Sequence, residues 1–291
     1  MDMIEFFNAS PGYRVVGVLI VGLIIGSFLN VVIYRLPIML RREWEAQCRE
    51  FLEEAAPEPS GARFDLVWPA SHCPNCERRI RPWENIPILS YFWQRGRCRG
   101  CATRISSRYP LVELATALLS AIVAWHFGFD WQLAAALILT WSLVVLAVID
   151  LDHQILPDNI TLPLIWLGLL LSLTGWFTSP SLSIIGAAAG YLSFWLVFQL
   201  FRLLTGKEGM GYGDFKLLAV FGAWLGWQAV PIVIVLSSLV GAVVGIGLIL
   251  ALGRDRNVPI PFGPYLAAAG WLALLWRDDM IDAYLRFAGF K

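Results

Sequence analysis

Two aspartates in this chain of 291 residues stand where carboxylates are costly. Asp150 ends an apolar run in Val148-Ile149-Asp150-Leu151-Asp152, and Asp214 opens another in Gly211-Tyr212-Gly213-Asp214-Phe215-Lys216. Ionisable groups inside or at the edge of a membrane span carry a large desolvation cost and are candidates for chemistry by default. Two carboxylates meeting in a partly dry site repel when both are ionised, so they come to share a proton. One, as carboxylate, can take a proton from water as it attacks a peptide carbonyl. The other, protonated, can hydrogen-bond to that carbonyl oxygen. This is the chemistry of an aspartyl protease.

Each aspartate alone also has a simpler reading: Asp150 as a helix-end charge in contact with water, Asp214 as an N-cap. Asp152 and Asp158 compete with Asp150 for the catalytic role. Asp158 follows Pro157 and reads as the N-cap of the next helix. Gly211 and Gly213 suit substrate binding, because glycine tolerates positive φ and lets an extended peptide approach the backbone. Such a peptide must pair its amides somewhere at that depth. A phosphate loop does not fit Gly206-Lys207, since Glu208 follows where Ser or Thr is required and Phe201 stands where the first glycine should be.

The second constellation is Cys73-Pro74-Asn75-Cys76 and Cys98-Arg99-Gly100-Cys101, two C-x-x-C pairs. Cys73, Cys76, Cys98 and Cys101 suit a tetrahedral four-thiolate zinc site, structural because four thiolates leave no open position for water. Two disulfides or redox thiols are the competing reading, and a cytoplasmic location argues against it. Cys48, the fifth cysteine, reads as an ordinary thiol, and His72 as a dispensable alternative ligand. Small polar modules with thin cores often need such a staple.

These groups must be positioned by membrane helices. The chain is 58% apolar and 15% charged, against about 25% charged for a soluble domain. Apolar segments near the ~20 residues needed to cross the bilayer fall at 15–34, 111–129, 131–149, 160–178, 183–201, 214–228, 230–252 and 260–276. The sixth is short and carries Lys216, so it reads either as a span or as a re-entrant segment. The expected fold class is therefore all-α and polytopic, with about eight transmembrane helices and a zinc-ribbon-like insert between the first two. The first run, preceded by Asp2 and Glu5, reads as a permanent span rather than a cleaved signal peptide.

Segment 35–109 holds thirteen Arg, and Arg and Lys accumulate on the cytoplasmic side. Placing it there puts 18 of the 22 Arg and Lys residues in cytoplasmic loops and brings Asp150 and Asp214 to the cytoplasmic boundary. The expected organisation is 1–34 as N-terminal segment and first span, 35–109 as cytoplasmic zinc-binding domain, and 110–291 as protease domain. Within the insert, 38–68 is expected to be partly helical and partly loose. The net charge is zero, so no global field favours nucleic acid, and none is expected as partner. The local cluster of arginines around the cysteines suits the anionic lipids of the leaflet beside it. Glu113, just inside the second span, is expected to pair with one of those arginines.

Taken in order, Gly26-Ser27-Phe28-Leu29-Asn30 through Tyr34-Arg35-Leu36-Pro37, the cysteine pairs and Arg108-Tyr109-Pro110-Leu111-Val112-Glu113 resemble the bacterial type IV prepilin peptidases. The Asp150 stretch, Gly211-Tyr212-Gly213-Asp214 and Pro261-Phe262-Gly263-Pro264-Tyr265 extend the resemblance over nearly the whole chain. It implies removal of the leader from prepilins and pseudopilins by Asp150 and Asp214 at the cytoplasmic face of the inner membrane. It also implies N-methylation of the new terminus by S-adenosylmethionine, for which the residues themselves identify no site. The rival from another class is a transporter using the carboxylates as proton or cation sites.

Overall fold

The computed structural model describes residues 3–52, 63–207, 209–252 and 260–287. Contacts divide the chain into two compact units, Met1–Trp141 and Ser142–Lys291.

In the first unit α1 (Met3–Ala9) leads into α2 (Pro11–Phe51), a single helix of 41 residues. At 1.5 Å per residue α2 is about 61 Å long, roughly twice the hydrocarbon thickness of a bilayer. It runs through Pro37 without ending. Of the stretch 38–68, expected to be partly helical and partly loose, 38–51 continues this helix, and 53–62 lies outside the described residues. A single turn, α3 (Leu89–Trp93), sits in the insert before α4 (Arg108–His126).

Helices α2 and α4 pair antiparallel in a regular ladder. Asn30 Nδ2 donates to Tyr109 O at 3.1 Å, and at the far end Arg14 Nε donates to Ala124 O at 2.9 Å. Between them a Cβ on Gly26 would stand 2.7 Å from Glu113 Cα, and one on Gly22 would stand 2.8 Å from Ala117 Cα. Lipid gives two spans no hydrophobic reason to associate, so close approach through small residues supplies the attraction. Gly22-x-x-x-Gly26 makes that seam. Helix α5 (Trp131–His153) then passes from the first unit into the second.

The second unit contains α6 (Asp158–Leu171), α7 (Pro180–Thr205), α8 (Tyr212–Leu225), α9 (Ala229–Leu252) and α10 (Gly263–Phe287). Its centre is α8, in which Asp214, Phe215 and Leu217 to Leu225 are all buried. Helix α7 reaches it through Gly186 and Gly190: a Cβ on Gly190 would stand 2.6 Å from Leu218 O, and Gly186 lies as tightly against Gly222. On the α6 side Trp224 Nε1 donates to Leu164 O at 2.8 Å, above Gly168. From α10, beside a kink at Trp276, Arg277 donates to Leu225 O at 2.8 Å and to Phe177 O at 3.0 Å. The carbonyl of Leu225, which has no partner within the helix, is closed off in this way.

Five helices among the described residues, α2, α4, α5, α7 and α9, are long and apolar enough to cross a membrane. Each of the eight apolar segments is realised as a helix, and the chain is an all-α polytopic membrane protein. The sixth segment is short: α8 has 14 residues, about 21 Å. Its apolar faces meet protein instead of lipid.

Candidate active site and metal centre

Asp150 lies in the last turn of α5 and Asp214 in the first turn of α8, 6% and 9% exposed. After α5 the chain turns at Gln154, where φ is 55°, and brings Leu156 back into the protein. Leu156 packs against two glycines. A Cβ on Gly213 would stand 2.8 Å from Leu156 Cβ, and one on Gly263 would stand 3.2 Å from Leu156 Cδ2. Gly263, at the start of α10, donates its N–H to Asp150 Oδ2 at 2.9 Å. One leucine therefore gathers the α5 end, the α8 start and the α10 start. The carboxylates come within electrostatic reach of one another.

The two oxygens of Asp158 accept from Lys216 Nζ at 2.7 Å each, and Asp152 and Asp158 are exposed. Asp158 is the first residue of α6 rather than its N-cap, a position taken by Pro157, because its side chain turns outward to the lysine. Gly211 has φ −80°, and neither it nor Gly213 adopts positive φ. Gly213 makes room for Leu156. Gly211 faces open space beside Asp214, whose Oδ2 is 4.0 Å from the Cβ position. Arranged like this, two buried carboxylates, one held by a backbone amide, can activate water and polarise a carbonyl.

In the insert the cysteine pairs form two matching knuckles. Each is closed by an isolated bridge, His72 with Arg79 and Arg97 with Arg104. Cys73 N–H donates to Arg78 O and Cys98 N–H to Thr103 O, both at 2.9 Å. After each second cysteine comes a residue at positive φ, Glu77 at 56° and Ala102 at 58°. The four sulfurs lie within 4.8 Å of one another, with Cys73–Cys101 at 3.8 Å and Cys76–Cys98 at 4.0 Å. A tetrahedral metal with ~2.3 Å bonds to thiolate sets sulfurs roughly 3.8 Å apart. The cluster fits such an ion. Gly100 N–H also points at Cys98 Sγ at 3.3 Å, and Cys48 on α2 and His72 stand outside the group.

Sequence reasoning missed Glu84. Buried on a 3-10 turn, it accepts from Arg78 at 2.7 Å and Arg81 N–H at 3.1 Å, with Arg99 at 3.9 Å. The Arg81 amide first, then Arg78, holds its carboxyl below the ordinary range. It ties the arginine after one knuckle to the arginine inside the other, and only its position among arginines could have signalled this. Glu113 differs from expectation: it accepts from Ile88 N–H at 2.7 Å and from the Ser27 hydroxyl, and pairs with no arginine among the described residues. Its depth against Gly26 keeps it below the arginine cluster.

A family model described as the bacterial peptidase A24 N-terminal domain matches residues 20–127, and one described as the type IV leader peptidase family matches residues 137–246. A Stutzerimonas stutzeri protein is 56% identical over 288 residues, covering 99% of each chain. A Pseudomonas aeruginosa protein is 55% identical over 291 residues and 100% of each. The chain belongs to the type IV leader peptidase family. Both relatives bear the name prepilin leader peptidase/N-methyltransferase, as does an Aeromonas hydrophila protein 57% identical over 97% of this chain and 98% of its own. No solved structure matches the chain. The N-terminal family model takes in the α2–α4 pair and the cysteine insert, while the leader peptidase model takes in Asp150 and Asp214. The resemblance expected from the ordered motifs is borne out along the full length.

Proposed function

We propose that this family member cleaves the leader from type IV prepilins and pseudopilins with Asp150 and Asp214 as the catalytic pair, at the cytoplasmic face of the inner membrane. In this reading 1–34 is the N-terminal segment and first span, 35–109 the cytoplasmic module and 110–291 the protease domain. The observation that carries it is the burial of both carboxylates around Leu156, with Gly263 N–H on Asp150.

The chemistry follows from that arrangement. One aspartate, ionised, takes a proton from a water that attacks the scissile carbonyl. The other, protonated, donates to the carbonyl oxygen as it becomes tetrahedral. Collapse breaks the C–N bond, and a carboxyl proton passes to the departing amine. Gly211 lines the open approach to Asp214 and offers backbone to the extended substrate, and Gly213, packed on Leu156, fixes that backbone beside the carboxylate. Gly263 holds Asp150 in one orientation, which sets the distance to the attacking water.

Cys73, Cys76, Cys98 and Cys101 would hold a structural Zn2+, which stabilises the insert and takes no part in proteolysis. The new α-amine is then methylated, S-adenosylmethionine supplying the methyl group. The test is cleavage of a purified prepilin by wild type, Asp150→Asn and Asp214→Asn, with metal content and methyl transfer to precleaved pilin measured in parallel. Each substitution should lower cleavage at least about 10⁴-fold with metal retained. Near-normal cleavage by either variant would remove that residue from the mechanism.

A further inference from the structure

The α2–α4 ladder shows where the insert is tied to the helix pair. Asn30 meets Tyr109 near the start of α4, and one turn further in Gly26 meets Glu113. Glu113 Oε2 accepts the Ile88 N–H at 2.7 Å. Ile88 is therefore tied by its amide to the first buried turn of α4. It sits there against its own preference: its φ is 60° and ψ −52°, a conformation that costs a β-branched residue about 1–3 kcal/mol. The buried carboxylate of Glu113 holds it there.

From this tether α3 begins. Leu89, Phe92 and Trp93 form one face at i, i+3 and i+4 and are 66%, 70% and 75% exposed. Trp83 and Ile86, just before the turn, are exposed as well. A tight turn joins α3 to Arg95, Arg97 and Arg99, all exposed, and Arg81 lies over the Trp83 ring at 5.4 Å. In water this would be an unprotected apolar patch. At the edge of two spans it has the composition of a bilayer interface, where tryptophan settles at headgroup level and arginine pairs with anionic lipid.

We propose that α3 is an interfacial helix, with Leu89, Phe92 and Trp93 seated among the lipids of an anionic leaflet and the neighbouring arginines on its headgroups. The four-cysteine cluster is then fixed to the bilayer surface at two points, the α2–α4 pair and α3. Both charge complementarity and the tether of Ile88 to the α2–α4 pair favour lipid over a protein partner as the occupant.

The full-length protein is reconstituted in vesicles of phosphatidylethanolamine and phosphatidylglycerol, with p-benzoylphenylalanine replacing Phe92 or Trp93. Ile20, exposed on the apolar part of α2, serves as the lipid-facing reference, and Trp44, exposed some 21 Å beyond Asn30 along α2, as the water-facing one. Photolysis should give phospholipid adducts at 92 and 93 close to the Ile20 yield and an order of magnitude above Trp44. Yields at the Trp44 level at both positions would overturn the proposal. Replacement of lipid adducts by prepilin adducts on adding substrate would instead make this face a substrate surface. In the unsubstituted protein, amide exchange over 89–93 should slow as phosphatidylglycerol replaces phosphatidylcholine, and unchanged exchange would count against it.

Discussion

The backbone amide of Gly263 and the carboxylate of Asp150 are joined by a hydrogen bond of 2.9 Å across 113 residues of sequence. Nothing larger than glycine fits at that amide, since a Cβ would stand 2.7 Å from Asp150 Oδ2 and 3.0 Å from its Cγ. The Pro261-Phe262-Gly263-Pro264 segment thus acts directly on a candidate catalytic group. In Gly263→Ala the carboxylate must move by a fraction of an ångström to an ångström. Cleavage should fall by about 10²-fold, the scale of such misplacement. Metal content and methyl transfer to precleaved pilin should stay at wild-type levels.

Asp152 and Asp158 should prove dispensable for cleavage. Both are exposed, and Asp158 is engaged by Lys216 in an ion pair of the kind worth less than about 1 kcal/mol. Asp152→Asn and Asp158→Asn should therefore keep kcat/KM for prepilin within about fivefold of wild type. A loss like that expected of Asp150→Asn would move the catalytic role along the chain.

Metal removal should act on the insert alone. The knuckles have few buried apolar side chains, Cys73 among them, so the coordination bonds supply much of their stability. Chelation, or Cys73→Ser, should abolish metal binding and raise hydrogen exchange across 71–105. Protection of α8 should remain. Glu84→Gln keeps the sulfurs but loses the charge that two arginines share, and should lower the metal affinity without abolishing it.

Much of this was legible in the residues, and the exceptions have physical causes. Asp150, Asp214 and the cysteines announced themselves because ionised or thiolate groups at such places are chemically expensive. The reach of α2 as far as Phe51 was not legible because residues 41–50 are mostly charged and solvated, and hydropathy reads burial in lipid rather than backbone conformation. The glycines before Asp214 suggested positive φ, yet Gly213 serves packing against Leu156, a contact no local pattern encodes. Glu113 sat among arginines in sequence, but a backbone amide, that of Ile88, took its carboxylate.

Gly26→Val tests the α2–α4 seam. The added Cβ would meet Glu113 Cα at 2.7 Å, a backbone atom that cannot step aside. Overpacking of this sort costs about 1–3 kcal/mol. The first unit should unfold at lower temperature in detergent, read by hydrogen exchange over α2 and α4 along a temperature series, while Gly12→Val, with nothing within 4 Å, should leave the midpoint unchanged.

Helix α8 is only 14 residues long and is buried over nearly its whole length. A helix bathed in lipid answers a thicker or thinner bilayer by tilting or sliding, because hydrophobic mismatch acts on its own surface. Helix α8 has almost no such surface. Changes in membrane thickness can pull on α7 and α9, which keep exposed apolar faces, but reach Asp214 only through their packing. The carboxylate is carried by a helix that is mechanically insulated from the bilayer.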